Sequence, residues 1–303
     1  MRKKPFYLIT IFLLHSILLL TSCKEEEVEY RDNNCKRQPA FVKSTGLDVS
    51  RVAFSTTETR QMGLQLIENS QSGQSRRYQH PSWKMAGWVG PILVDPQGNC
   101  FVGPIPVISL LNNPTSRQNI IYRVDGNTGE MKPFVELPVA DSISVTNPYG
   151  ILGFAYLCET NTLYVSTVQG SDRRQEKGCI YAVDGLTGKI IDKHNGLDVL
   201  GMGISYISGK RKLYFGSARN SAVYSITLNK NGKFSGNRKF EFSLDDLGPR
   251  GDDKVRRIRF EKMGQMQVYA VEFDFNLTAP SERQETIYTW YWNDEEKKWM
   301  NFK

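Results

Sequence analysis

Short apolar runs separated by polar, glycine-rich turns organise the chain from about residue 88 to its C-terminus. The segment Ile121-Tyr122-Arg123-Val124-Asp125-Gly126-Asn127-Thr128-Gly129 returns as Ile180-Tyr181-Ala182-Val183-Asp184-Gly185-Leu186-Thr187-Gly188. Looser copies begin at Val223-Tyr224 and Ile287-Tyr288. Each copy predicts a strand with an aromatic residue in second place, then a turn whose glycines supply positive φ and whose Asp and Thr bond the turn backbone. A further short strand precedes each copy: Cys100–Val102, Leu163–Val165, Leu213–Phe215 and Val268–Ala270. Before these come turn-forming pairs and one more apolar run, such as Ile92-Leu93-Val94 or Ile151–Ala155.

The repeating unit is therefore strand, turn, strand, variable loop, strand, turn. Outside the N-terminal segment no stretch longer than about ten residues carries a helical period of 3.6. The anchors Tyr122, Tyr181, Tyr224 and Tyr288 stand at the spacing of one four-stranded blade per repeat. The expected fold is all-β, a β-propeller of five or six four-stranded blades over residues 41–303. Arg51–Ser55, Gly63–Ile67 and Arg76–Gln79 supply strands for a degenerate blade ahead of the four clear ones.

The N-terminus has a different pattern. Arg2, Lys3 and Lys4 precede a nearly continuous apolar run from Pro5 to Leu20, the length of a signal-peptide core and short for a stable membrane span. Leu20-Thr21-Ser22-Cys23 resembles the lipobox of bacterial lipoproteins. That resemblance implies a signal peptide over 1–22, acylation of Cys23 and a lipidated tether over 23–40. Lys24-Glu25-Glu26-Glu27 resembles the surface-export signal of some Gram-negative lipoproteins. The expected location is the cell envelope at the outer membrane, with the membrane as a partner through the acyl chains alone.

Cleavage before Cys23 leaves 281 residues with 36 Lys and Arg against 32 Asp and Glu. This small, evenly spread excess points away from nucleic acid. Four cysteines remain, Cys35, Cys100, Cys158 and Cys179, without CxxC or Cys/His spacing. A zinc site is not expected, and an exported protein is free to form a disulfide whose pairing the spacing leaves open. Only His80 and His194 survive processing, which starves Ser-His-Asp and His-metal schemes.

The stretch Val89–Val102 followed by Ile121–Asp125 resembles a blade of the six-bladed group that holds NHL-repeat proteins and the gluconolactonase/regucalcin family. Asn147–Ile151 leading to Leu163–Val165 has the same cadence. The resemblance implies an axial divalent metal on a Glu, an Asn and an Asp. The Glu position is Val89 here, the Asn position corresponds to Asn147 in an altered Asn-Pro-Tyr-Gly turn, and no Asp takes the third place. No metal and no cofactor is expected, since hard cations need several oxygen ligands.

Candidate binding residues are Asn147, Asp172 and Arg173 in the long 169–178 loop, and Arg250, Asp252, Asp253 and Arg256 in the charge-dense 245–257 segment. Carboxylates there suit a cation and arginines suit a sugar acid. The alternating Tyr288, Trp290 and Trp292 suit either sugar stacking or packing between blades. The favoured reading is a non-catalytic binding or scaffolding module for a glycan, peptide or protein, with no catalytic residues. The alternative is a metal-dependent hydrolase or lactonase of the propeller group, using Asn147 and acids of the 245–253 loop.

Overall fold

The computed structural model describes residues 33–56, 61–69, 75–106, 114–138, 146–261, 264–275 and 284–301. The proposed signal peptide and Cys23 lie outside them. Five antiparallel sheets form a β-propeller, and its inner strands surround one axial channel. Blade 2 consists of β4 (Val89–Val94), β5 (Cys100–Pro104), β6 (Ile120–Val124) and β7 (Met131–Glu136). Blade 3 consists of β8 (Ile151–Leu157), β9 (Thr162–Thr167), β10 (Cys179–Asp184) and β11 (Ile190–Asn195). Blade 4 holds β12 (Val199–Ile207), β13 (Lys210–Ser217), β14 (Ala222–Leu228) and β15 (Phe234–Ser243). Blade 5 holds β16 (Lys254–Glu261), β17 (Gln265–Val271), β18 (Thr286–Asn293) and β19 (Lys298–Met300).

Blade 1 has three strands, β1 (Val52–Ser55), β2 (Gln65–Glu68) and β3 (Arg76–Tyr78). Its direction identifies what is different about it. The channel mouth is lined by the first residues of β4, β8, β12 and β16, but by Phe54, Ser55 and Thr56 at the far end of β1. Gly63, just ahead of β2, bonds the carbonyl of Gly87, just ahead of β4. Thus β1 runs like the second strand of the other blades, and β2 starts at the mouth like a third strand. Among the described residues blade 1 has no innermost strand, and the half-exposed β1 presents its edge to the channel.

The repeated turns fold as their residues dictate. Asp125 Oδ1 accepts from the Asn127 and Thr128 amides at 2.8 and 2.9 Å. Asp184 Oδ1 does the same from Leu186 and Thr187 at 3.0 and 2.8 Å. The second and third strands pack the blades face to face: Tyr164, Tyr214, Phe215 and Tyr122 are buried, and Phe242 of the fourth strand of blade 4 stacks on Trp290 at 3.8 Å across the seam of blades 4 and 5.

The segment before the first blade is fastened to the ring. Cys35 pairs with Cys158 at a sequence separation of 123 residues, while Cys100 and Cys179 stay free and buried. Asn33 bonds the Tyr156 carbonyl at 2.6 Å, and the Arg37 amide bonds that of Asp95. Residues 33–39 of the expected tether therefore lie across the closed-turn ends of blades 2 and 3. No helix among the described residues is long and apolar enough to cross a membrane.

Candidate functional site: the axial channel

Every complete blade breaks register at the same place. The β-bulges lie between Val89 and Ile92, Ile151 and Gly153, Val199 and Met202, and Val255 and Arg257. A bulge inserts an unpaired residue and re-aims a side chain. Here the inserted residues, Gly90 and Pro91, Leu152, Leu200 and Gly201, and Arg256, line a cavity of about 410 Å³ at the mouth of the channel. Three of the bulges present small or apolar groups, and only β16 presents a charge. Neighbouring inner strands come so close here that a Cβ on Gly201 would sit 2.3 Å from the carbonyl of Arg256. Glycine is required at that position by contact, not by φ.

The cavity wall mixes apolar side chains (Ile105, Phe154, Met202, Phe273) with the polar Ser55, Thr56 and Tyr149, and its charged groups are Arg256, Arg257 and Glu285. Consecutive residues of a regular strand face opposite sides, so both arginines reach the cavity because of the bulge between them. Arg257 Nη2 donates to Glu285 Oε2 at 2.9 Å, and its guanidinium lies over the Tyr269 ring at 4.0 Å. Its Nε is buried and has no hydrogen-bond partner among the described residues. Cavity, guanidinium and carboxylate together form the most chemically capable assembly in the described structure. Arg256 was a sequence candidate; Arg257 and Glu285 were not singled out. The doublet Arg256-Arg257 at the start of an inner strand was the available signal.

The other sequence candidates hold the scaffold. Asn147 is buried, with Nδ2 donating to the Val168 carbonyl at 2.8 Å and Oδ1 accepting from the Tyr149 amide at 2.9 Å. Asp172 caps its own turn through the Arg174 and Gln175 amides at 2.7 and 2.8 Å, and these bonds hold its carboxyl below the usual range. Arg173 pairs with Asp274. Asp253, fully buried, accepts from Arg250 and from Tyr288 Oη at 2.9 Å, and Arg250 also reaches Thr286 Oγ1. Burial and then the Asp253 bond push the Tyr288 phenol up to about 12. Asp252 meets Lys254 at the surface. None of these six residues lines the cavity.

Trp290 and Tyr288 are packing residues of the seam between blades 4 and 5. Beside the mouth, Asp198 is buried and accepts from Ser171, Gly178 and Arg219, which ties the 169–178 loop to blade 4. Burial raises its pKa against the opposing pull of Ser171 and Arg219.

The metal site implied by the family resemblance does not fit this chain. Both polar ends of Asn147 are committed to backbone, and Val89 is a buried apolar residue. Among the described residues no three His, Cys, Asp or Glu side chains gather where an ion could sit.

No family model and no curated protein matches the chain. Solved structures do resemble it: a periplasmic gluconolactonase of Pseudomonas aeruginosa (14% identity, TM-score 0.39, 61% of this chain and 51% of the other); a gluconolactonase of Xanthomonas campestris (14%, 0.41, 67% and 61%); and a quinone-bound aldose sugar dehydrogenase of Streptomyces coelicolor (13%, 0.41, 78% and 78%). The chain spans 51% and 61% of the lengths of the two gluconolactonases. The likeness is one of fold, a β-propeller resembling the gluconolactonase group. The expectations of a non-catalytic module and of a chain more readily read as no enzyme are corrected here. The resembling structures are enzymes by their titles, and the non-catalytic reading is not carried forward.

Proposed function

We propose that the chain is an envelope-anchored hydrolase that opens a sugar-derived lactone in the axial channel, without the metal set of the gluconolactonase group. The observation that carries this reading is the Arg257–Glu285 pair at the wall of the cavity, 2.9 Å apart. Glu285 uses Oε2 for Arg257 and leaves Oε1 to take a proton from water. The water oxygen bonds the lactone carbonyl carbon, and a guanidinium stabilises the charge that develops on the carbonyl oxygen. The ring C–O bond then breaks, the proton passes from Glu285 to the departing alkoxide, and a hydroxy acid results. Ile105, Phe154, Met202 and Phe273 of the wall limit competing water where they flank the reacting carbonyl. Cys23 is the proposed lipid attachment point, with export to the outer membrane.

The test is hydrolysis of aldono- and aldarolactones, followed with a pH indicator in excess chelator. Turnover should exceed the buffer rate, and Glu285→Gln should lower kcat by about 100-fold or more, as loss of a general base does. A wild-type rate equal to buffer, or full activity in the variant, overturns the proposal. Anchoring is checked separately: Cys23→Ser should release the protein from the membrane fraction or block its processing.

A further inference from the structure

One side chain ties together the mouth ends of three consecutive blades. The 169–178 loop connects β9 to β10 in blade 3, Arg219 lies between β13 and β14 in blade 4, and Asp274 and Phe275 follow β17 in blade 5. Arg219 Nε donates to Asp198 Oδ2 at 2.6 Å. Its Nη2 donates to the Asp172 carbonyl at 2.7 Å and to that of Gln175, and Nη1 reaches the Arg173 carbonyl at 3.4 Å. One guanidinium thus holds three carbonyls of a single loop while it neutralises a fully buried carboxylate. The acid grips the same loop, since Asp198 Oδ1 accepts from Ser171 Oγ and from the Gly178 amide at 2.9 Å. The Asp198 amide donates to Glu176 Oε1, also at 2.9 Å.

The other side of Arg219 leads to the cavity. Its guanidinium lies over the Phe275 ring, 5.3 Å from the centroid. Phe275 meets Phe273 edge-on at 5.6 Å, and Phe273 meets Tyr149 at 5.4 Å. Phe273 and Tyr149 line the cavity, whereas Arg219 and Phe275 stand behind its wall. The three rings are buried in one apolar cluster with Leu152, Leu200 and Val271, which line the cavity too. A close-packed cluster transmits displacement, so the place of Phe275 bears on the place of Phe273. Arg173 adds a second tie to Asp274, but both side chains are exposed and such pairs contribute little. Charge-assisted bonds to a buried acid hold far better.

We propose that Arg219 is a positioning residue of the channel. It locks the 169–178 loop of blade 3 to Phe275 of blade 5 and so sets where Phe273 stands in the cavity wall. This deepens the hydrolase reading and rests on its choice of cavity. Arg257 and Glu285 are paired with each other, so loss of Arg219 should weaken the hold on substrate more than it slows the chemical step.

The test combines steady-state hydrolysis of glucono-1,5-lactone with amide hydrogen exchange on the intact protein. Arg219→Met should raise KM about fivefold or more and leave kcat within about twofold of wild type. It should also speed exchange about tenfold or more in both 172–178 and 271–275. Methionine leaves Asp198 buried without its cation, which can cost the fold. Arg219→Lys keeps that charge and should melt within a few degrees of wild type. It should still speed exchange in both segments, because one ammonium cannot serve three carbonyls and a ring face as a guanidinium does. Arg211→Met breaks the ion pair with Glu159 at the closed-turn end of blades 3 and 4, and should move neither KM nor exchange in 271–275.

Faster exchange confined to 172–178, with KM unchanged, overturns the inference and leaves Arg219 as the cap of its own loop. Wild-type KM and exchange in Arg219→Lys overturn it as well, since neutralising Asp198 would then suffice. An equal rise of KM in Arg211→Met assigns the effect to lost stability and overturns it. A wild-type protein that turns over no lactone sinks the hydrolase reading, and exchange in Arg219→Lys then decides alone. Faster exchange in 271–275 upholds the lock, and wild-type exchange there overturns it.

Discussion

The two faces of blade 5 are built from alternate residues of the same strands and have opposite characters. On the face toward blade 4, Met266, Val268 and Ala270 of β17 are buried beside Tyr288 and Trp290 of β18. On the other, Arg257 and Arg259 lie over Tyr269, and Ile287 and Tyr291 are exposed. Strand periodicity alone generates this division. What it teaches is where the propeller keeps its stability and where it keeps its chemistry. The first face closes a seam between complete blades, and the second borders the channel beside a blade that has no innermost strand among the described residues.

The largest expected effect is on the packed face. Trp290 is 8% exposed and stacks on Phe242 with ring centroids 3.8 Å apart. Trp290→Ala should cost about 3–5 kcal/mol, the usual range for emptying a buried aromatic site, read as a shift in the denaturation midpoint. A loss below about 1 kcal/mol would show that the seam is not where the ring is held.

Next in size is the contact that sets the seam's spacing at the axis. A Cβ on residue 201 would meet the Arg256 carbonyl carbon at 2.3 Å, and backbone cannot swing aside as a long side chain can. Gly201→Ala should destabilise by about 1–3 kcal/mol and displace the Arg256 bulge, so lactone turnover should fall with stability. Unchanged stability together with unchanged activity would separate the bulge from the site.

How far all this could be read beforehand varies by level. The third strand of each blade and its turn were legible because Asp125-Gly-x-Thr-Gly and Asp184-Gly-x-Thr-Gly state a local geometry, and the turns form the bonds their side chains imply. The packing role of Trp290 was legible from alternation, with sugar stacking left open beside it. The Cys35–Cys158 pairing was not, since it depends on where the chain crosses blade 3. The direction of β1, which runs like a second strand, was also hidden, because strand direction leaves no mark in an apolar run. The site was legible only in Arg256. Arg257 comes to the same cavity through a bulge, and Glu285 through the placement of β18, and both depend on three-dimensional register. Asn147, Asp172, Arg173, Arg250 and Asp253 carry the right chemistry for a site, yet each is used in a turn or an ion pair.

A pH experiment sharpens the comparison at smaller scale. Tyr288 closes the packed face at its mouth end, where its phenol is pushed up to about 12 from an unfolded value near 10. The unfolded chain therefore releases this proton first as pH rises. Stability is whole below about pH 10 and falls as pH climbs toward 12. Tyr288→Phe should remove that part of the alkaline slope measured by denaturant titration. The slope will not vanish, because burial also raises the phenols of Tyr181 and Tyr206 to about 12. An unaltered slope would mean that Tyr288 is not held buried against Asp253 in solution.

The smallest effect is the most telling for the open face. Arg259 is exposed and makes no ion pair among the described residues; its ring contact lies 5.2 Å from the Tyr269 centroid. Arg259→Met should change stability by no more than about 0.5 kcal/mol in either direction, as surface changes do. Any gain would come from relieving repulsion with Lys36, whose pKa Arg259 helps to lower. A stability loss above about 1 kcal/mol would instead mean that Arg259 is packed as part of a second seam. The contrast between the faces of blade 5 would then be one of composition and not of use.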